Sequence, residues 1–154
     1  MDRSQAKYID IDGINTRYFE AGAGEPMILI HGGQPGMASS AEIWFLNIDE
    51  LAKKYHVYAL DKLGQGYTDN PKVNEDYTMG AQVKHAVGFM NKLNISNAHL
   101  LGHSRGGYMT TRIALEYPHL AKSIVIIDSA TLMANPNTFN FYEDVAERAK
   151  LIKD

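Results

Sequence analysis

The sequence predicts an α/β fold, a mostly parallel sheet with helices on both faces. Three observations carry that reading. Short apolar runs at 27–30, 56–60, 98–101 and 123–128 alternate with stretches whose apolar residues recur at helical spacing. The connections between them are short, which implies parallel strands joined by right-handed crossovers. The third is Gly102-His103-Ser104-Arg105-Gly106, a G-x-S-x-G sequence between one such run and a helix-like stretch that ends at Pro118.

Each element has its own signal. Residues 8–12 and 14–20 read as strands around Asp12-Gly13, the dipeptide of a tight hairpin. Pro26 opens the run 27–30, which is continuously apolar, as a strand buried on both faces is. Within 41–55, Ile43, Leu46, Ile48 and Leu51 fall at roughly helical spacing. The strand 56–60 delivers Asp61 at its C-terminal end. Thr78 caps a helix whose apolar face is Val83, Ala86, Val87, Met90 and Leu93. The strand before Gly102 and the helix after Ser104 follow, and 123–128 makes another buried strand. Past Asn135-Pro136-Asn137, Asn140 and Glu143 have capping-box spacing. The helix they open carries Tyr142, Val145, Ala149 and Ile152 on one face, and it either folds back on the sheet or belongs to a further unit.

Composition narrows the function classes. The 154 residues suffice for one domain with a core, and 45% hydrophobic with 21% charged residues fits a folded globular chain. Fifteen basic and 18 acidic residues leave a net charge of −3 with no basic cluster, so neither nucleic acid nor a membrane is the expected partner. The N-terminus is too polar for a secretory signal. Cysteine is absent, which removes disulfides and thiolate chemistry and suits a cytoplasmic location. A small-molecule substrate is the expected partner, with homo-oligomerisation left open. No cofactor or metal is expected: His99 and His103, four apart on a strand, lie roughly 13 Å from each other.

The chemistry gathers where strands deliver loops at the sheet's carboxyl edge. Ser104, on a sharp strand-to-helix turn with glycines on both sides, reads as a nucleophile whose hydroxyl stands clear of the sheet. His31-Gly32-Gly33-Gln34-Pro35-Gly36 leaves the strand ending at Ile30 and supplies exposed backbone N–H groups. The Gly33 N–H and the Arg105 N–H form the expected oxyanion hole, and Gly32, Gln34 and His103 border the substrate. The loop Asp61-x-x-Gly64-x-Gly66 is read as a structural turn, since a third glycine of a nucleotide loop would fall at Asp69. A serine needs a proton acceptor, and none of the six histidines is well placed for that role. His119 is the sole histidine after Ser104, at the far end of the helix. His31 reads as structural.

The ordered set His31-Gly32-Gly33, Asp61-x-x-Gly64-x-Gly66-x-Thr68 and Gly102-x-Ser104-x-Gly106-Gly107, with the strand ending at Asp128, resembles the N-terminal half of an α/β-hydrolase. His-Gly-Gly-x-Pro-Gly with a Ser-x-Gly-Gly turn is most similar to the meta-cleavage product hydrolases, which cut C–C bonds in ring-fission products of aromatic degradation. His103 and Arg105 stand where that family usually has asparagine and methionine, and Gln34 replaces a glycine; a general esterase is compatible with all three. The resemblance implies residues 1–134 as the N-terminal part of the hydrolase core. It implies 135–154 as the start of a helical cap or a C-terminal amphipathic helix, in either a fragment of a longer enzyme or a truncated form, stopping before the last strands and most of the cap. It also implies chain order serine, acid, histidine, with Asp128 as a candidate acid. The expected activity is hydrolysis of an ester, or of the C–C bond of a dienoate. The alternatives are a non-catalytic small-molecule binder and an interaction module that pairs with another chain.

Overall fold

Asp12 and Gly13 both take positive φ (52° and 79°), the backbone a two-residue hairpin turn requires, and join strands β1 (Lys7–Ile11) and β2 (Ile14–Ala21). The computed structural model describes residues 2–33 and 37–132. Four further strands follow: β3 (Glu25–Ile30), β4 (Tyr55–Leu60), β5 (Ala98–His103) and β6 (Ala121–Ile127). The sheet order is β1-β2-β4-β3-β5-β6. The pairs from β4 through β6 are parallel, while β1 and β2 are antiparallel to their neighbours. The chain runs from β3 to β4 on one side, then crosses over to β5 on the other. That reversal opens a crevice at the carboxyl ends of β3 and β5, where ligands bind in open α/β sheets.

Helices cover both faces, as the alternation of periods predicts. On one face α2 (Met79–Lys92) and α3 (Arg105–Glu116) bury Val83, Phe89, Met90, Met109 and Ile113 against Ile28, Ile30 and Leu100. Thr78 accepts from the Ala81 N–H at 3.1 Å and so caps α2. On the other face a 3-10 turn (Ala41–Trp44) and α1 (Phe45–Leu51) cover Phe19, Leu29, Val57 and Ala59. No described helix is long and apolar enough to cross a membrane.

Two expectations need correction. The face expected from Ile43, Leu46, Ile48 and Leu51 is not the buried one: Leu46 is 92% exposed, whereas Ala41, Trp44 and Ile48 are buried. The 3-10 turn has three residues per turn instead of 3.6 and resets the phase ahead of α1. The strand expected at 123–128 begins earlier, at Ala121, and is not buried. Ile124, Val125, Ile126 and Ile127 are 39–46% exposed, because β6 is the last strand of the sheet among the described residues. The segment 135–154 and its expected helix lie outside the described residues.

Two buried histidines make acid stability a test of this packing. His85, in α2, shares a 2.9 Å hydrogen bond with the Thr16 hydroxyl, and burial pushes its pKa down to about 4. His31 is fully buried, and desolvation together with the nearby Lys62 charge pushes its pKa down to about 3. In the unfolded chain both bind a proton near pH 6.5, so between these limits the unfolded state holds more protons and stability rises with pH. Their contribution is complete above about pH 6.5 and is lost as pH falls. Between pH 7.5 and 5 each is expected to cost roughly 2 kcal/mol, read from urea midpoints at the two pH values. A His85→Gln variant should lose about half of that pH dependence; an unchanged slope would contradict the buried neutral form.

Candidate active site

Ser104 follows the last residue of β5 and precedes the first of α3, with φ 53° and ψ −121°. A non-glycine residue holds such a backbone only where its surroundings over-determine it, at a cost of about 1–3 kcal/mol. The constraints are on both sides. The Ser104 N–H donates to the Ile127 carbonyl at 2.8 Å, and the Ser104 carbonyl accepts from the Gly107 N–H (2.9 Å) and the Ser129 hydroxyl (2.6 Å). A Cβ at Gly102 would lie 2.2 Å from the Gly106 carbonyl oxygen, and one at Gly106 would lie 2.1 Å from that of Ile30. Strand, helix and neighbouring strand therefore meet at a distance that only hydrogen side chains allow. Ser104 is half-buried. Ser104→Gly removes the strain at 104, so this variant is expected to be more stable than Ser104→Ala by about 1 kcal/mol or more. Urea unfolding of the two side by side checks it; equal midpoints would mean that the turn stores nothing.

The loop after β3 lies directly against this turn. A Cβ at Gly32 would stand 2.9 Å from the Ser104 Cβ and 3.0 Å from the His103 Nδ1. His31 holds the loop from below. Its Nε2 accepts from the Lys62 N–H at 3.1 Å, which leaves the proton on Nδ1, shared by the Gly32 carbonyl (2.8 Å) and the Ser39 hydroxyl (3.1 Å). Ser39 also donates to the Gly32 carbonyl at 3.2 Å. Because a trans peptide points its carbonyl and its N–H in opposite directions, this fixes the Gly33 N–H away from His31. Gly33 itself has φ 79°, and its carbonyl accepts from the Lys62 ammonium at 2.7 Å. Neither the Gly33 nor the Arg105 N–H has a protein acceptor among the described residues, and Arg105 is the first residue of α3, where helical N–H groups lack intrahelical partners.

Beneath the loop is a buried charge cluster centred on Asp61. Its carboxylate accepts from Arg17 Nε (2.6 Å), the Ala41 N–H (2.7 Å) and the Tyr67 N–H (2.8 Å). Arg17 also pairs with Glu42 at 3.0 Å and lies 4.2 Å from the Tyr67 ring centroid. Gly66, at φ 58°, passes so close that a Cβ there would overlap the Asp61 carboxylate. The Asp61-x-x-Gly64-x-Gly66 loop is thus an anchor for the floor of the crevice, in line with its reading as a structural turn.

The sequence-predicted residues divide accordingly. Ser104, Arg105, Gly32, Gly33 and His103 meet at the carboxyl ends of β3 and β5. Gln34 lies outside the described residues. Asp128 follows β6 at the same edge, exposed, with φ 48°, and its neighbour Ser129 bonds the Ser104 backbone. No described histidine bonds to the Ser104 hydroxyl. The His119 backbone carbonyl accepts from the Asn97 N–H just before β5, at the opposite edge of the sheet. His56 bonds Glu20, and His99 bonds Ser123 and Glu25. Among the described residues no cluster of potential metal ligands occurs. Lys62 is the residue that sequence reasoning missed. The signal available was a lysine placed directly after a buried strand, where no solvated side chain belongs.

Comparison with known proteins agrees with this architecture. A family model described as alpha/beta hydrolase fold matches residues 25–152. A 2-hydroxymuconate semialdehyde hydrolase of Pseudomonas sp. (strain CF600) is 39% identical over 118 residues, which are 77% of this chain and 41% of that one. A 2-hydroxy-6-oxo-6-(2'-aminophenyl)hexa-2,4-dienoic acid hydrolase of Metapseudomonas resinovorans is 34% identical over 82% of this chain and 43% of its own. Among solved structures, a meta-cleavage product hydrolase from Pseudomonas fluorescens IP01 superposes with a TM-score of 0.72 at 37% identity, covering 80% of this chain and 44% of that one. A serine hydrolase involved in carbazole degradation superposes with a TM-score of 0.75 at 32% identity, covering 96% and 55%. The chain spans about half the length of the curated relatives it matches.

Proposed function

The chain belongs to the α/β-hydrolase fold family, and from that premise we propose that it is a serine hydrolase of small, fairly apolar carbonyl compounds, with Ser104 as nucleophile. The observation that carries the reading is the strained Ser104 backbone pressed against the Gly32-Gly33 loop. In the proposed reaction the Ser104 hydroxyl attacks the carbonyl carbon, or activates water toward it. The electron pair of the C=O bond moves onto oxygen, which accepts hydrogen bonds from the Gly33 and Arg105 N–H groups; each such donor is typically worth about 2.7–4 kcal/mol in the transition state. Collapse of the tetrahedral species breaks its bond to the leaving group, which takes up the proton removed from Ser104. Water then adds to the acyl-serine, releasing the acid and returning a proton to Ser104. The serine proton needs a base that the described residues do not supply. A histidine oriented by a carboxylate fits that role, and Asp128 is the carboxylate this chain offers at the correct edge. The relatives named as dienoate and semialdehyde hydrolases support C–C bond cleavage of a ring-fission type substrate, with carboxylic esters as the broader class.

The second reading is a pocket that binds such molecules without turning them over, since no histidine among the described residues bonds the Ser104 hydroxyl. A fluorophosphonate separates the two. Covalent capture by the wild type that disappears in Ser104→Ala supports the hydrolase. No capture by a chain that carries the base, or equal capture by Ser104→Ala, overturns it. Turnover of p-nitrophenyl esters by the 154-residue chain is expected near background.

A further inference from the structure

Lys62 is 1% exposed, yet no carboxylate among the described residues pairs with it. The charged and titratable groups around it are accounted for. The Asp61 carboxylate, next in sequence, is taken by Arg17, Ala41 and Tyr67. Arg105, from α3, is a second cation whose field bears on Lys62, and His31, from the loop after β3, is held neutral. His103, on β5, faces the same loop through Gly32. Among the described residues the Lys62 ammonium donates to one acceptor, the Gly33 carbonyl, at 2.7 Å. Burying an unpaired charge is costly, so a lysine here is a poor choice for stability.

We propose that Lys62 is the positioning residue of the oxyanion loop: its buried ammonium grips the Gly33 carbonyl and so fixes the Gly33 amide beside Ser104. This rests on the hydrolase reading above. Gly33 lies between two peptide planes. His31 and Ser39 hold the first through the Gly32 carbonyl, and Lys62 holds the second through the Gly33 carbonyl. With both planes held, the positive φ of Gly33 and the direction of its N–H have no freedom left. The grip is charge-assisted, and such bonds are roughly twice as strong as neutral ones. Burial, with the repulsion of Arg105, pushes the Lys62 pKa down to about 7, so the grip weakens as pH rises through neutrality. The same shift gives the sign of the stability effect. Between about pH 7 and the ordinary lysine pKa near 10.5, the unfolded chain holds more protons, so stability rises with pH while the loop loosens.

The test combines two readouts. Fluorophosphonate capture by Lys62→Met is expected to be slower than by wild type by about tenfold at pH 6, the size of a hydrogen bond to a charged group, with the gap closing by pH 9. Lys62→Arg, which keeps its charge, should recover part of the rate without that closing. A merely structural lysine would slow capture equally at every pH, and that outcome overturns the proposal. In uncaptured protein, the Gly33 amide resonance should titrate near pH 7 in wild type and not in Lys62→Met. This second readout does not require Ser104 to react, so absence of capture with a Gly33 titration fails the hydrolase reading alone. Should Lys62→Met not fold, the wild-type Lys62 ε-methylene and Gly33 carbonyl resonances must share one midpoint near 7. Titration of Lys62 in the ordinary lysine range, or a Gly33 resonance indifferent to it, overturns the proposal.

Discussion

Gly106→Ala is expected to destabilise the protein by more than about 3 kcal/mol, although alanine is the better helix former. The added methyl carbon would stand 2.1 Å from the Ile30 carbonyl oxygen at the end of β3 and 2.8 Å from that of His31 in the loop after it, both backbone atoms. Neither can rotate aside, so relief requires α3 to lift from β3. A control lies in α2, where a Cβ at Gly80 would meet nothing closer than 3.8 Å. Gly80→Ala should therefore follow intrinsic propensity and gain up to about 1 kcal/mol. Opposite signs for two identical substitutions in helices would show that contact, and not propensity, dictates glycine at 106. Chemical denaturation of both variants gives the comparison.

Asp61→Asn is expected to cost about 3–5 kcal/mol, the range for removing one partner of a buried ion pair. The carboxylate accepts three N–H groups with two oxygens, and it is fully enclosed. An amide offers one acceptor and turns an NH2 group toward donors, so at least one donor loses its bond. Arg17 would be left with Glu42 and the rings of Tyr67 and Phe19. The effect should extend to the site, because Lys62 follows Asp61 and its N–H holds His31. Loss of stability with an intact His31–Lys62 contact, seen as an unchanged His31 ring resonance, would show that the two layers are independent.

Local chemistry explains how much of this was legible in the sequence. Asp12-Gly13, Thr78 and the G-x-S-x-G turn act through their own backbone and immediate neighbours, and each is found where its pattern places it. The same is true of the sheet's alternation with helices, which depends only on the change of hydrophobic period. What failed depends on distant partners. Leu46 was misread because a 3-10 turn upstream rotates α1, and no residue within the helix records that rotation. The run Ile124-Val125-Ile126-Ile127 has the composition of a central strand, but position in the sheet sets burial, and here it is the edge. Lys62 was passed over because its acceptor, the Gly33 carbonyl, lies 29 residues away in sequence. Gly33, Ser104 and Arg105 lie at one edge because strand ends in a parallel sheet all open there.

The proposed chemistry depends on a serine oxygen that faces two backbone amides. The direct measurement is to capture Ser104 with a fluorophosphonate and follow the amide proton resonances of Gly33 and Arg105. Both are expected to move downfield together when the phosphoryl oxygen of the adduct enters the site, while amides at the opposite edge, such as Asn97, stay in place. An adduct on Ser104 that leaves the Gly33 and Arg105 amides unmoved would contradict it.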